Sequence, residues 1–242
     1  MQEEDFEYAV LSKAAYDWYH GDHELAKQEL EAYNLPYEFD LDNSDDNSVT
    51  VVRPDGSAVL SYRGTDITNP SDIFADSQIF LGLHSNPLMQ PLNPLNRFES
   101  ANQKYEKVKD KYPNLTLTGH SLGGSQALHV ARKHGADSIT FNPGSSPLGE
   151  MFHSILSSDK PQKIYTTGDD LISYSSYLFD RKDDMILVPK KEHNLYYSHS
   201  LMHFLPPRKS IEIPPDYINP IHKDTFEKIS MCEIFPDLCL RR

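Results

Sequence analysis

The sequence predicts an α/β domain with a mostly parallel central sheet flanked by helices. Three observations carry the prediction. Short β-rich runs alternate with helix-period segments through the middle of the chain. The length, 242 residues, suffices for one such domain with a sizeable core and does not require two. No internal repeat and no low-complexity tract interrupts the alternation.

Taken in order, residues 5–18 place Phe6, Ala9, Val10, Ala14 and Tyr16 at helical spacing, and a second short helix is expected over 24–33. Residues 48–52 and 57–62 are β-rich, with the hairpin-forming Pro54-Asp55-Gly56 between them. A helix is expected over 69–82, with Ser71 as its candidate cap. Segment 84–96 holds Pro87, Leu88, Met89, Pro91, Leu92, Pro94 and Leu95, and its prolines forbid a long regular helix, so it reads as an apolar loop. Residues 97–111 form a charged amphipathic helix. A strand over 115–118 leads to a helix over 122–134 that Gly135 stops. Further strands are expected over 138–141, 163–167 and 185–188. The stretch 206–242, rich in Pro and charge, is expected to wrap the surface of a single domain spanning 1–242.

Composition excludes some functions. With 38% hydrophobic and 24% charged residues the chain is not of the disordered class. A formal net charge of -13 and a pI near 5.2 repel phosphate backbones, so no nucleic-acid partner is expected. Any contact with a lipid surface has to be apolar and local. No run reaches the roughly 18 apolar residues of a transmembrane helix. The acidic start, Met1-Gln2-Glu3-Glu4-Asp5, is not a secretory signal peptide, which favours a cytoplasmic or virion-associated protein over classical secretion. A disulfide between Cys232 and Cys239 would close a small local loop, and two unrelated thiols are the plainer reading.

One motif carries chemistry. Thr118-Gly119-His120-Ser121-Leu122-Gly123-Gly124 contains Gly-x-Ser-x-Gly between a predicted strand and a predicted helix. A nucleophile on a sharp strand-to-helix turn needs glycine on both sides, Gly119 and Gly123, because side chains there would collide with the turn. The helix that follows points its N-terminus at the reacting centre. The competing reading is a Gly-rich turn with a buried Ser.

Ser121 then needs an acid and a base downstream, in the order Ser, acid, His. The strand over 163–167 runs into Gly168-Asp169-Asp170, and Asp170 is preferred over Asp169, although Asp is common in turns anyway. His193, His199, His203 and His222 follow. His199 is preferred as the base. His203 is the alternative and could share a helical face with it. A metal site at that pair is disfavoured, because Ser200 stands where a metalloprotease helix wants Glu. Oxyanion donors are expected from the N–H of Leu122 and from Thr65, in Ser61-Tyr62-Arg63-Gly64-Thr65. The plainer reading of Arg63-Gly64-Thr65 is a strand-ending turn with a structural Arg.

These blocks, Tyr62-Arg63-Gly64-Thr65, Gly119-His120-Ser121-Leu122-Gly123-Gly124, Asp169-Asp170-Leu171-Ile172 and His199, are laid out as in the fungal-type class 3 lipases, and the chain resembles that family over about 48–204. The resemblance implies an α/β-hydrolase fold, hydrolysis of acylglycerols or phospholipids, and an oxyanion hole at Thr65 and Leu122. Asp170 matches the family acid because an apolar pair follows it. The chain departs from the family at Asn96-Arg97-Phe98, where a His-Gly-Phe-like block is usual, at Ser173, where Pro is common, and around His199-Ser200-Leu201, which looks more like intracellular or virus-encoded relatives.

The expected function is therefore lipid degradation by a serine esterase of the lipase or phospholipase kind, with a Ser121-Asp170-His199 triad and neither metal nor organic cofactor. An esterase for small soluble esters, and a catalytically silent structural or virion component, are the alternatives. Leu88, Met89 and Leu92 make 84–96 a candidate lid or acyl-chain wall, against which stands a packed structural loop. Truncating them should reduce activity on aggregated lipid more than on a short soluble ester.

Overall fold

The computed structural model describes residues 1–65, 97–144, 160, 162–167, 185–189 and 199–206. All lie in the unit Met1–Arg208. They form a seven-stranded, mostly parallel sheet with flanking helices, an α/β-type fold. The strands are β1 (Glu38–Phe39), β2 (Ser48–Val52), β3 (Ala58–Tyr62), β4 (Leu115–His120), β5 (Asp137–Phe141), β6 (Lys163–Thr167) and β7 (Met185–Val188). The helices are α1 (Phe6–Tyr19), α2 (His23–Ala32), α3 (Arg97–Lys109) and α4 (Leu122–His134).

The strands lie in the sheet in the order in which they occur in the chain. β1, β2 and β3 pair antiparallel, and β3 through β7 pair parallel. Parallel strands that step in one direction, each by a right-handed crossover, put their connecting helices on one face. Accordingly α3 and α4 pack together on one face, and α4 lies against β3, β4 and β5. The other face is covered by α1, which crosses β2 to β5 and carries α2 on its outer side.

Strand alternation sorts the side chains between the two faces. Ala58, Leu60 and Tyr62 of β3 and Leu115 and Leu117 of β4 join Ala127, Val130 and Ala131 of α4. Val59, Ile139, Phe141 and Tyr165 join Ala9, Val10, Leu11 and Ala14 of α1. Hydroxyls on the α1 face bond rather than pack: Ser61 Oγ donates to the Leu11 carbonyl at 3.0 Å, and Thr118 Oγ1 to that of Ile139 at 2.7 Å. Such pairing removes the cost of burying a polar group.

Local chemistry sets the boundaries. The β2–β3 hairpin closes through Arg53 N–H to Ser57 O at 2.8 Å, with Gly56 at φ 83. The Asp22 side chain caps α2 by accepting from Leu25 N–H at 2.8 Å. Gly135 ends α4 in the left-handed region at φ 67, and Ala136 N–H turns back to Ala131 O at 3.1 Å. Two boundaries differ from the sequence reading by two residues, and the other described helices and strands that it named agree to within one. β4 runs two residues past 118, so Gly119 and His120 belong to the strand. α3 stops at Lys109 rather than 111. β1 was not anticipated, because two residues carry no periodicity.

At the outer corner Asp40 accepts from Asn43, Lys111 and Tyr112, each at 2.7 Å. Burial by itself pushes its carboxyl up, but the three donors outweigh it and hold the pKa down at about 2, against 3.8 ordinarily. A lowered carboxyl pKa stabilises the fold above the unfolded value, and this contribution is lost as pH falls from about 4 toward 2. Asp40→Asn should therefore be less stable than wild type at neutral pH and match it more closely near pH 2. Urea midpoints across that range check this.

Candidate active site

β4 enters the site and α4 leaves it, with Ser121 alone between them. Ser121 has φ 57 and ψ −126, a left-handed backbone rare for a residue with a side chain. Its N–H donates to Phe141 O at the end of β5 (3.1 Å), and its carbonyl accepts from Ser125 N–H in the first turn of α4 (2.9 Å). These bonds hold the strained conformation from both sides.

Close packing around the turn excludes side chains. A Cβ on Gly119 would lie 2.4 Å from the Gly123 carbonyl carbon, and one on Gly123 would lie 2.1 Å from Tyr62 O. β3 thus runs directly beneath the first turn of α4. The half-buried Ser121 hydroxyl sits at the positive end of α4, where first-turn N–H groups have no intrahelical acceptor. Leu122 is the first residue of that turn.

His199 Nε2 lies 2.6 Å from Ser121 Oγ, across 78 residues of chain. Behind it the 3₁₀ turn Leu201–His203 is capped by Ser200, whose side chain accepts from Met202 N–H. Leu201 and Phe204 sink into the core on the α1 side. His203 is buried in this turn, and the imidazole within bonding distance of the Ser121 hydroxyl is that of His199. The 3₁₀ turn is only three residues long, so the two histidines do not share the face of a regular helix.

His120, 7% exposed, sits between these parts. Its Nε2–H donates to the His199 carbonyl at 2.6 Å. That carbonyl can only accept, so in the neutral ring Nδ1 is the acceptor and accepts a hydrogen bond from the Tyr16 hydroxyl at 3.1 Å. The sequence reading carries His120 only as a member of the Gly-His-Ser-Leu-Gly-Gly block and gives it no role. Its partners are 79 and 104 residues away, so no local signal pointed to it.

The loop after β3 is held by two buried guanidinium groups. Arg63 (0% exposed) donates from Nη1 to Gly64 O at 3.0 Å and from Nε to Asp46 O at 2.8 Å, and its guanidinium lies 3.8 Å from the Tyr19 ring centre. Arg97 (4% exposed) donates from Nη2 to Arg63 O at 2.9 Å, and its Nη1 reaches Gly64 O at 3.5 Å. The 63–65 peptides are tethered through their carbonyls. In a planar trans peptide the Thr65 N–H points opposite to the Gly64 carbonyl. Arg97 was visible in the sequence only as a departure at Asn96-Arg97-Phe98.

The structure brings Ser121, Leu122, His199 and the elbow glycines together, with half-buried Thr65 directly after the tethered Gly64. Asp169, Asp170, His193, His222, the proposed lid residues Leu88, Met89 and Leu92, both cysteines and 207–242 lie outside the described residues. β6 ends at Thr167, three residues before Asp170, and Thr167 N–H donates to the Asn142 side chain at 3.0 Å just past β5. The carboxyl ends of β4, β5 and β6 are therefore tied side by side, where open α/β sheets place their ligands. No helix among the described residues is long and apolar enough to cross a membrane. In comparisons with known proteins, no protein-family model matches the chain and no curated protein matches it.

Proposed function

We propose that this chain is a serine hydrolase of the α/β-hydrolase type that cleaves carboxylic esters of lipids through an acyl-enzyme. The observation that carries the reading is the approach of His199 Nε2 to 2.6 Å from a Ser121 hydroxyl raised on a left-handed strand-to-helix turn. A nucleophile and its base within hydrogen-bond reach are the minimum that acyl transfer needs. The lipid substrate class comes from the resemblance to class 3 lipases.

The chemistry runs in two steps. His199 Nε2 accepts the Ser121 proton as Oγ bonds to the acyl carbon, and the same proton goes to the departing alcohol as its C–O bond breaks. Water then attacks the acyl carbon while His199 takes its proton, and as the acyl–Oγ bond breaks His199 returns that proton to Ser121 Oγ and the acid is released. Negative charge on the carbonyl oxygen is met by the N–H groups of Leu122 and Thr65, assisted by the N-terminus of α4. Asp170 is the proposed carboxylate behind His199.

A fluorophosphonate probe and a panel of esters test this. Wild type should label covalently and Ser121→Ala should not. Turnover of long-chain esters or phospholipids above short soluble esters supports a lipase or phospholipase. Turnover confined to short esters moves the reading to a soluble esterase. A wild type that neither labels nor hydrolyses any ester ends it.

A further inference from the structure

We propose that His120 is a positioning residue that sets the imidazole of His199 on Ser121 and that Tyr16, from the opposite face of the sheet, fixes the ring state in which it does so. The assignment rests on the hydrolase reading above.

His199 stands two residues before the 3₁₀ turn, which begins at Leu201. Its carbonyl accepts from His120 Nε2 at 2.6 Å while its own Nε2 meets Ser121 Oγ at the same distance. His120 is the residue immediately before Ser121 and closes the ladder of β4, paired with Phe141 of β5. The nucleophile and the anchor of its base are thus consecutive residues, His120 closing β4 and Ser121 following it. Any movement of the turn carries both, so the Ser–His distance is held from within β4.

That bond requires the proton to be on Nε2 of His120. The Tyr16 hydroxyl, 3.1 Å from Nδ1, favours that tautomer by donating a hydrogen bond to Nδ1. Were the proton on Nδ1, Nε2 would face the His199 carbonyl with a lone pair, and two acceptors would confront each other. Tyr16 reaches this place only because residue 64 is glycine: a Cβ there would lie 1.7 Å from the Tyr16 hydroxyl oxygen and 2.8 Å from His120 O. The gap beneath Gly64 is therefore filled by the phenol. The helix α1 contributes a site residue although it lies across the sheet from α3 and α4.

The test is a double-mutant cycle on hydrolysis of p-nitrophenyl butyrate, with melting temperature read for each variant. His120→Leu should lower kcat by about 10²-fold with KM within about twofold of wild type, because a displacement of about 1 Å between base and nucleophile costs roughly that much. His120→Gln, whose side-chain amide can still donate to the His199 carbonyl, should recover at least tenfold of the loss. Tyr16→Phe should fall between wild type and His120→Leu. In a His199→Ala background the His120→Leu effect on the residual rate should shrink to less than threefold, since a residue that acts through another has nothing left to act on. Equal losses in both backgrounds, a loss carried by KM, or no rescue by Gln overturns the assignment while the hydrolase reading stands. A wild type without esterase activity or phosphonate labelling overturns both. If His120→Leu fails to fold, the comparison of Tyr16→Phe with and without His199 decides.

Discussion

Ser121→Gly should abolish ester turnover and still melt higher than the wild type. Losing the nucleophile costs roughly 10⁶-fold in kcat where Ser and His act as a unit. The gain in stability comes from the backbone. At φ 57 and ψ −126 a residue with a Cβ sits in strain worth about 1–3 kcal/mol. Glycine relieves that strain and gives back about 0.4–1 kcal/mol through its freer unfolded chain. The net is about 1 kcal/mol, or about 2–4 °C for a domain of this size. Ser121→Ala is the control, because it removes the same hydroxyl and keeps the Cβ. It should be as inactive as Ser121→Gly and gain none of the glycine's stability. Thermal melts of the three proteins beside one activity assay decide it. Equal melting of the Gly and Ala variants would mean the turn stores no strain.

Gly123→Ala should damage the protein most. Its new Cβ would fall 2.1 Å from Tyr62 O and 2.8 Å from the Arg63 carbonyl carbon, all backbone of β3 and the residue after it. A flexible side chain could swing away, but a strand bonded on both sides cannot. Tyr62 is also fixed at its far end, where its hydroxyl donates to Ala101 O at 2.9 Å. α4 would have to lift off the sheet, at a cost of about 3 kcal/mol or more. Gly56→Ala is the comparison. Its φ is +83, unlike that of the helical Gly123, and nothing lies within 4 Å of the added carbon, so about 1 kcal/mol of turn strain is the whole expected effect. Urea midpoints should rank wild type, Gly56→Ala and Gly123→Ala in that order, with the last gap the larger. A Gly123→Ala variant as stable as Gly56→Ala would contradict the close contact of α4 with β3.

The parts that were legible from sequence are those with a local cause. The bounds of α4 were read correctly because a steric motif precedes it and a left-handed glycine follows it. The hairpin was legible from Pro54-Asp55-Gly56. The pairing of Ser121 with a histidine followed from the elbow, and the choice of His199 over His203 fell to the residue whose loop is free of the 3₁₀ turn. The supports of the site were not legible. His120 works through a carbonyl 79 residues ahead and a phenol 104 residues behind, and Arg97 works through the carbonyls of 63 and 64. Side chain to main-chain bonds of that range leave no trace in periodicity or spacing. Arg63 showed only as a strand-ending cation, although its burial beneath Tyr19 makes it part of the same tether.

The sequential strand order has a consequence for biosynthesis. Among the described residues the crossover helices α3 and α4 lie on one face, and the opposite face is covered by α1, which comes before every described strand. Its docking surface includes β4 and β5, and β5 emerges more than a hundred residues after α1, on the order of ten seconds later at ordinary rates of synthesis. Through that interval Ala9, Val10, Leu11 and Ala14 have only the β2–β3 hairpin of their sheet to meet. A nascent chain of this protein therefore carries an apolar helix face that its own α2 and the β2–β3 hairpin cover only in part, and a helix translated early is among the last pieces to settle.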